Sequence, residues 1–240
     1  MQRRWTSFLI KTILITICLL AVVATYGWWQ LNRTPSYVVE YREAMTAIDP
    51  TNLLVLAENV QNRVPTKLTG TGDHQSADGI EIKTITLTLE EINAWLVVKL
   101  PAWLENQLNL SMPPHVIETG MAIHRQQPLF FLSFENEGKV QIVTALFSLT
   151  ILENGMARLQ LQQVRLGNLP LPLSLARAAL EEQGGPNGSP LTQTFHKLLA
   201  GIKFPPVHAF PLDVRQGRLM AVRIHPDKVE FEVQVERIRH

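Results

Sequence analysis

The apolar positions of this chain follow three patterns in turn, and each predicts a different kind of element. From Thr12 to Trp29 they are almost continuous, with no charged residue. At ~1.5 Å of helix rise per residue that run reaches ~27 Å, close to the ~30 Å hydrocarbon core of a bilayer. Beyond Gln30 the spacing becomes helical. Residues 36–48 have mixed helical character; Asp49-Pro50 then supplies an N-cap and a proline at the first helical position. Leu53, Leu56, Ala57, Val60 and Val64 follow on one stripe, up to Pro65. Residues 66–79 are polar and glycine-rich and read as a flexible loop.

A strand is expected around Ile80, Ile82, Ile85 and Leu87. Thr88 and Glu91 then form a capping box in front of a helix carrying Ile92, Trp95 and Leu96, which Pro101 interrupts before another short helical piece over 102–108. From His115 the period changes to two. Strands are expected over 116–118, 121–125, 129–135, 139–152 and 157–166, with turns at Glu135–Gly138 and at Asn154-Gly155. Consecutive hairpins of this kind build an antiparallel sheet with one buried face.

Leu169-Pro170-Leu171-Pro172 marks the exit from that sheet. A helix over 174–183, a Gly/Pro breaker over 184–190 and a second helix with Leu191, Phe195, Leu198, Leu199 and Ile202 on one stripe come next. Strands over 207–214, 218–225 and 229–238 close the chain, with turns at Gln216-Gly217 and Pro226-Asp227. The expected division is an N-terminus over 1–11, a membrane anchor over 12–30, a juxtamembrane helical segment over 31–65, the loop over 66–79 and an α+β domain over 80–240. The fold class is α+β: an N-terminal transmembrane helix, then a twisted antiparallel sheet packed against amphipathic helices.

The flanks of the first run orient it. Arg3, Arg4 and Lys11 precede its apolar body, whereas Arg33 alone follows closely. The positive-inside rule places residues 1–11 in the cytoplasm and the rest outside a bacterial cytoplasmic membrane, as a single-pass protein. A cleaved signal peptide is the rival reading, with Val22-Val23-Ala24 as its cleavage site. The aromatic cluster Tyr26, Trp28 and Trp29, suited to the headgroup level, favours a permanent anchor.

Charge then narrows the partners. With Arg3, Arg4 and Lys11 set aside, the chain has a formal charge of about −2, which excludes the basic stripe of a nucleic-acid-binding surface. The one cysteine, Cys18, lies in the apolar run, so the domain is held by its core and not by disulfides.

No constellation for catalysis or metal binding stands out. His74, His115, His124, His196, His208, His225 and His240 never recur at helical ligand spacing, and there is no His-Glu-x-x-His, Gly-x-Ser-x-Gly or Ser-x-x-Lys. Glu90 and Glu91 are adjacent carboxylates, but on the first turn of a helix, where capping and the macrodipole account for them. Gly70-x-Gly72 lacks the lysine of a phosphate cradle. The sequence therefore predicts no catalytic, cofactor-binding or metal residues.

The segment Thr-Leu-Glu-Glu-Ile-Asn-Ala-Trp-Leu (Thr88 to Leu96), the basic N-terminus with its single span, and the Gly-x-Leu-Pro-Leu-Pro turn (Gly167 to Pro172) together resemble the YpmS-like family of bacterial membrane-anchored proteins. The resemblance implies an extracytoplasmic domain of unassigned function and brings no site residues with it.

The functional expectation is a non-enzymatic envelope protein that binds a lipid-like amphiphile or a protein partner near the membrane. Trp95, Trp103, Phe130, Phe147 and Phe195 are its candidate apolar groove. The alternatives are a scaffold subunit of a membrane complex, or an envelope hydrolase joining His115 or His124 to Glu118.

Overall fold

The computed structural model describes residues 20–69, 74–75, 81–108, 112, 115–136, 138–152, 156–184, 190–204, 207–209 and 215–237. The chain is α+β, with antiparallel sheets and helices. Its helices are α1 (20–32), α2 (Ser36–Thr46), α3 (Pro50–Thr69), α4 (Leu89–Val98), α5 (Leu100–Leu108), α6 (Leu173–Gly184) and α7 (Pro190–Ala200). Its strands are β1 (His74–Gln75), β2 (Glu81–Thr88), β3 (Val116–His124), β4 (Gln127–Asn136), β5 (Lys139–Ile151), β6 (Ala157–Leu166), β7 (Leu169–Leu171), β8 (Ile202–Phe204), β9 (Val207–Ala209), β10 (Arg215–Ile224) and β11 (Lys228–Arg237).

Two sheets form where the hydrophobic pattern predicted one. A meander runs β3-β4-β5-β6, with β7 and β8 sharing the outer edge of β6. A second sheet has the order β1-β2-β11-β10-β9, which joins β2 to the far end of the chain. Each face of the meander has its own cover. On one side Val38 and Tyr41 of α2 pack with Phe131 and Ile142. On the other, α4 fills the space between the sheets, where Leu96 meets Met121 of β3 and Val229 of β11, flanked by Ile92, Phe130 and Phe231. The neighbours Phe130 and Phe131 serve opposite faces because strand side chains alternate.

Gly120 makes the first of these packings feasible. A Cβ there would sit 2.5 Å from the Phe131 ring and 2.7 Å from that of Tyr41. Its absence lets the two rings meet edge to face at 4.9 Å. This glycine also lies inside one continuous strand β3, which joins the two short strands expected on either side of it.

Local signals and tertiary latches explain the helix ends. Asp49 caps α3 as expected, its carboxylate accepting the Thr51 N–H at 2.8 Å. The capping box is complete: Thr88 Oγ1 accepts the Glu91 N–H at 3.2 Å, and Glu91 Oε2 accepts the Thr88 N–H at 3.0 Å. Arg63 of α3 closes over that buried carboxylate and also ties α3 to α4.

Pro65 does not end α3, which continues to Thr69. The buried Lys83 Nζ donates to the Leu68 carbonyl at 3.0 Å, placing a cation on the negative end of the helix and holding the last turn. Gln216-Gly217 is likewise not a turn: both residues are paired within β10, Gly217 opposite Val235 on one side and His208 on the other. Ile202, expected on the α7 stripe, starts β8. The Pro226-Asp227 turn stands, closed by the His225 N–H donating to the Lys228 carbonyl at 2.9 Å.

Among the described residues no helix is long and apolar enough to cross a membrane. Thr12 to Leu19, the first part of the expected span, lie outside the described residues, as do Arg3, Arg4, Lys11 and Cys18. The described part, α1, exposes Leu20, Val22, Val23, Tyr26, Trp28 and Trp29 by half or more of their surface. Its C-terminal end is fixed to the meander: the Asn168 N–H donates to the Gln30 carbonyl at 3.1 Å, and Gly167 lies against Leu31. Gly167 has φ +57°, and a Cβ on it would stand 2.4 Å from the Leu31 oxygen, so only glycine fits there.

Candidate functional site

Helix α2 follows α1 after a short link at Arg33–Pro35, and Pro35 is fully buried at its N-cap. Its Tyr37 and Tyr41 lie one turn apart and reach into the meander. The Tyr37 hydroxyl meets Thr144 Oγ1 at 2.8 Å, and the Tyr41 hydroxyl donates to the Thr119 carbonyl at 2.9 Å. Burial raises the Tyr41 phenol to about 12, with the nearby Glu118 charge adding to the effect.

Across the free edge of β3 lies α4. Asn93 holds it there through a two-way amide pairing: its Oδ1 accepts the Met121 N–H at 2.7 Å, and its Nδ2 donates to the Met121 carbonyl at 3.0 Å. A side chain thus supplies what a neighbouring strand would, and the edge is closed.

Between these elements two cavities open, one on each flank of α2, with Tyr41 and Met45 lining both. The first, about 520 Å³, lies between α2, the start of α3, the α4–α5 junction and the first half of β3. Its walls are Leu53, Val97, Pro101, Met112 and Val116, with one ion pair. Arg42 grips Glu118 through Nε at 3.1 Å and Nη2 at 2.8 Å, and the Ser133 hydroxyl donates to the same carboxylate at 2.9 Å. The hydrogen bond to that carboxylate raises the Arg42 pKa further, so the guanidinium stays charged.

The second cavity, about 410 Å³, lies between α2, the first turn of α4, the second half of β3 and the β10–β11 turn. Met45, Ala44, Leu89, Met121, Ala122 and Ile123 make its apolar surface; Glu40, Glu90 and Asp227 stand at its margin, and among the described residues no Lys, Arg or His lines it. None of these three carboxylates has an ion-pair or hydrogen-bond partner among the described residues. Lys228, next to Asp227, is bonded to Glu230 at 2.8 Å. The three are spread over three elements, and among the described residues no group of His, Cys, Asp or Glu could hold a metal ion.

The aromatic residues expected to line a groove fall elsewhere. Trp95 and Trp103 form an edge-on pair at 6.3 Å, and Phe130 and Phe147 another at 5.5 Å. Trp95 and Phe130 belong to the core between the sheets, and Trp103 is 43% exposed. None of the four lines either cavity; the Phe195 side chain lies outside the described residues.

His115 and His124 sit at opposite ends of β3, both exposed, and the Glu118 oxygens are taken by Arg42 and Ser133. Sequence reasoning missed Tyr37, Tyr41, Met45 and Asn93. The i, i+4 spacing of the two tyrosines was the one available signal.

Comparisons of the chain with protein-family models, with curated proteins and with solved structures return no match.

Proposed function

We propose that this protein is a non-enzymatic, membrane-anchored binding module that holds a lipid-like amphiphile in the cavities beside α2, outside a bacterial cytoplasmic membrane. The observation that carries this reading is the second cavity: an apolar floor with an acidic margin, built by the helix that directly follows α1. Such a site suits a ligand with an apolar body and a neutral or cationic polar end, since three unpaired carboxylates repel an anion.

The anchor is supported by α1 itself. At ~100° per residue its exposed apolar side chains point to every side, which in water would be costly and in lipid is favourable. The resemblance to the YpmS-like family belongs to the same proposal and adds no ligand.

The full chain reconstituted in bilayer nanodiscs tests it. Ala44 is exposed and lines the second cavity, so Ala44→Trp fills the space without disturbing the core. Native mass spectrometry is expected to find a retained amphiphile on the parent protein and its loss in Ala44→Trp. Equal occupancy in both, or none in either, sinks the binding reading.

A further inference from the structure

The tip of the β4–β5 hairpin is tied to α1 in a way that binding in the cavities does not require. Lys139, the first residue of β5, places its Nζ 5.5 Å from the centre of the Trp28 ring. One turn further along, the latch of Gly167 and Asn168 onto Leu31 and Gln30 fixes the meander against the same helix end. The Gly167 N–H also donates to the Ile142 carbonyl at 2.7 Å, so α1, the 167–168 turn and the start of β5 form one connected unit. The level of Trp28 along α1 is therefore also the level of Lys139.

Val140 then becomes informative. It is 49% exposed, and by strand alternation it shares a face with Ile142 and Thr144, which Val38, Tyr41 and Tyr37 of α2 cover. It thus projects on the α2 side of the sheet but lies beyond the stretch that α2 covers. Gly138 and Lys139 beside it are exposed as well. Leu132, 40% exposed, lies on the opposite face, which it shares with Lys139, but it pairs with Val143, four residues further from the tip than Lys139.

We infer that the β4–β5 tip is a second bilayer contact: Val140 enters the headgroup–acyl boundary, while Lys139, held over Trp28, donates to lipid phosphate. This rests on the membrane-anchor part of the proposed function and is independent of the cavities. Two features of the structure select a lipid surface over a protein partner. The tip is continuous with the aromatic end of α1, and its make-up, a cation over an indole next to an exposed aliphatic, is that of an interfacial contact. Arg33, just past the end of α1, lies over Trp29 at 4.9 Å and repeats the arrangement. Glu135, paired across from Val140, faces the same side, so the contact suits headgroups carrying an ammonium beside the phosphate.

Because α1 and the meander form one connected unit, a second contact at the tip sets the tilt of that unit in the bilayer. The test uses the full chain carrying Cys18→Ser, in nanodiscs of phosphatidylethanolamine and phosphatidylcholine. An environment-sensitive fluorophore is placed through Val140→Cys or, as the control further from the tip, Leu132→Cys. The expected result is a blue-shifted emission at position 140 that lipid-borne quenchers suppress, corresponding to a depth of about 5–10 Å, with water-like emission at 132. Introducing Lys139→Glu is expected to move position 140 back toward water. Water-like emission at both positions, in a chain that resists alkaline extraction, overturns the second contact and leaves the anchor standing. A chain released by alkaline extraction overturns the anchor and this inference with it. Blue-shifted emission at both positions overturns the inference in favour of a protein partner or aggregation.

Discussion

Replacing Asn93 with leucine removes the side chain that satisfies both backbone groups of Met121 at the β3 edge. Leucine keeps the branching and the number of side-chain heavy atoms and brings no polar atom. The Met121 N–H and C=O then remain buried and unpaired, at about 1–3 kcal/mol each. The added apolar burial returns about 1–2 kcal/mol. Taking the middle of both ranges, the net expected loss is about 2–3 kcal/mol, a large part of the ~5–15 kcal/mol typical of a domain. Urea unfolding of the full chain in nanodiscs, followed by tryptophan emission, reads it, because Trp95 sits in the adjoining core. Asn93→Asp separates the pairing from mere bulk. The new carboxyl keeps the acceptor but faces the Met121 carbonyl with a negative charge, so its folded pKa is raised above the ~3.9 of an unfolded aspartate. Its penalty is therefore full above the folded pKa and fades as pH falls toward 3.9, where the protonated acid again donates. A loss below about 1 kcal/mol in Asn93→Leu, or a pH-independent penalty in Asn93→Asp, would refute the claim that this amide closes the edge.

Three further outcomes follow from the same geometry. Tyr41 is expected to remain protonated until about pH 12 in spectrophotometric titration. Because unfolded tyrosine ionises near 10, stability should fall as pH rises from 10 to 12, by roughly 2 kcal/mol at the top of that window; ionisation of every tyrosine near 10 would contradict this. Gly167→Ala, which forces a Cβ against Leu31 at positive φ, should speed hydrogen exchange at the end of α1, whereas Gly27→Ala, with nothing within 4 Å, should not. Arg63→Met should cost about 2–3 kcal/mol in urea melts by leaving the buried Glu91 carboxylate with only the Thr88 N–H. Most of that loss should disappear when Glu91→Gln is added; additive losses would show that the pair is not coupled.

What could be read from the sequence was local. The Thr88–Glu91 box, the Asp49-Pro50 start and the meander hairpins depend on residues within a few positions of each other. They appear in the fold close to where they were expected. Pro65 misled because a lysine eighteen residues on, Lys83, holds the turn that the proline should have ended. Gly217 misled because a buried three-strand position tolerates a missing side chain as readily as a turn does. The cavities had no local signature at all, since their walls come from α2, α4, β3 and the β10–β11 turn. The large aromatics drew the eye to a groove, yet Trp95 and Phe130 are more valuable to the core between the sheets.

The pairing of β2 with β11 also sets an order of events during folding. The meander closes through hairpins between neighbouring segments, which form early because little chain entropy is lost in each. In contrast, Ile85 must wait for Phe231, roughly 145 residues later along the chain. While the chain is being delivered, β2 stands ready with its α4 capping box formed but its long partner missing. The interval between completion of the meander and arrival of β11 is when this protein exposes an unpaired strand, and is most open to a chaperone, a protease or a second copy of itself.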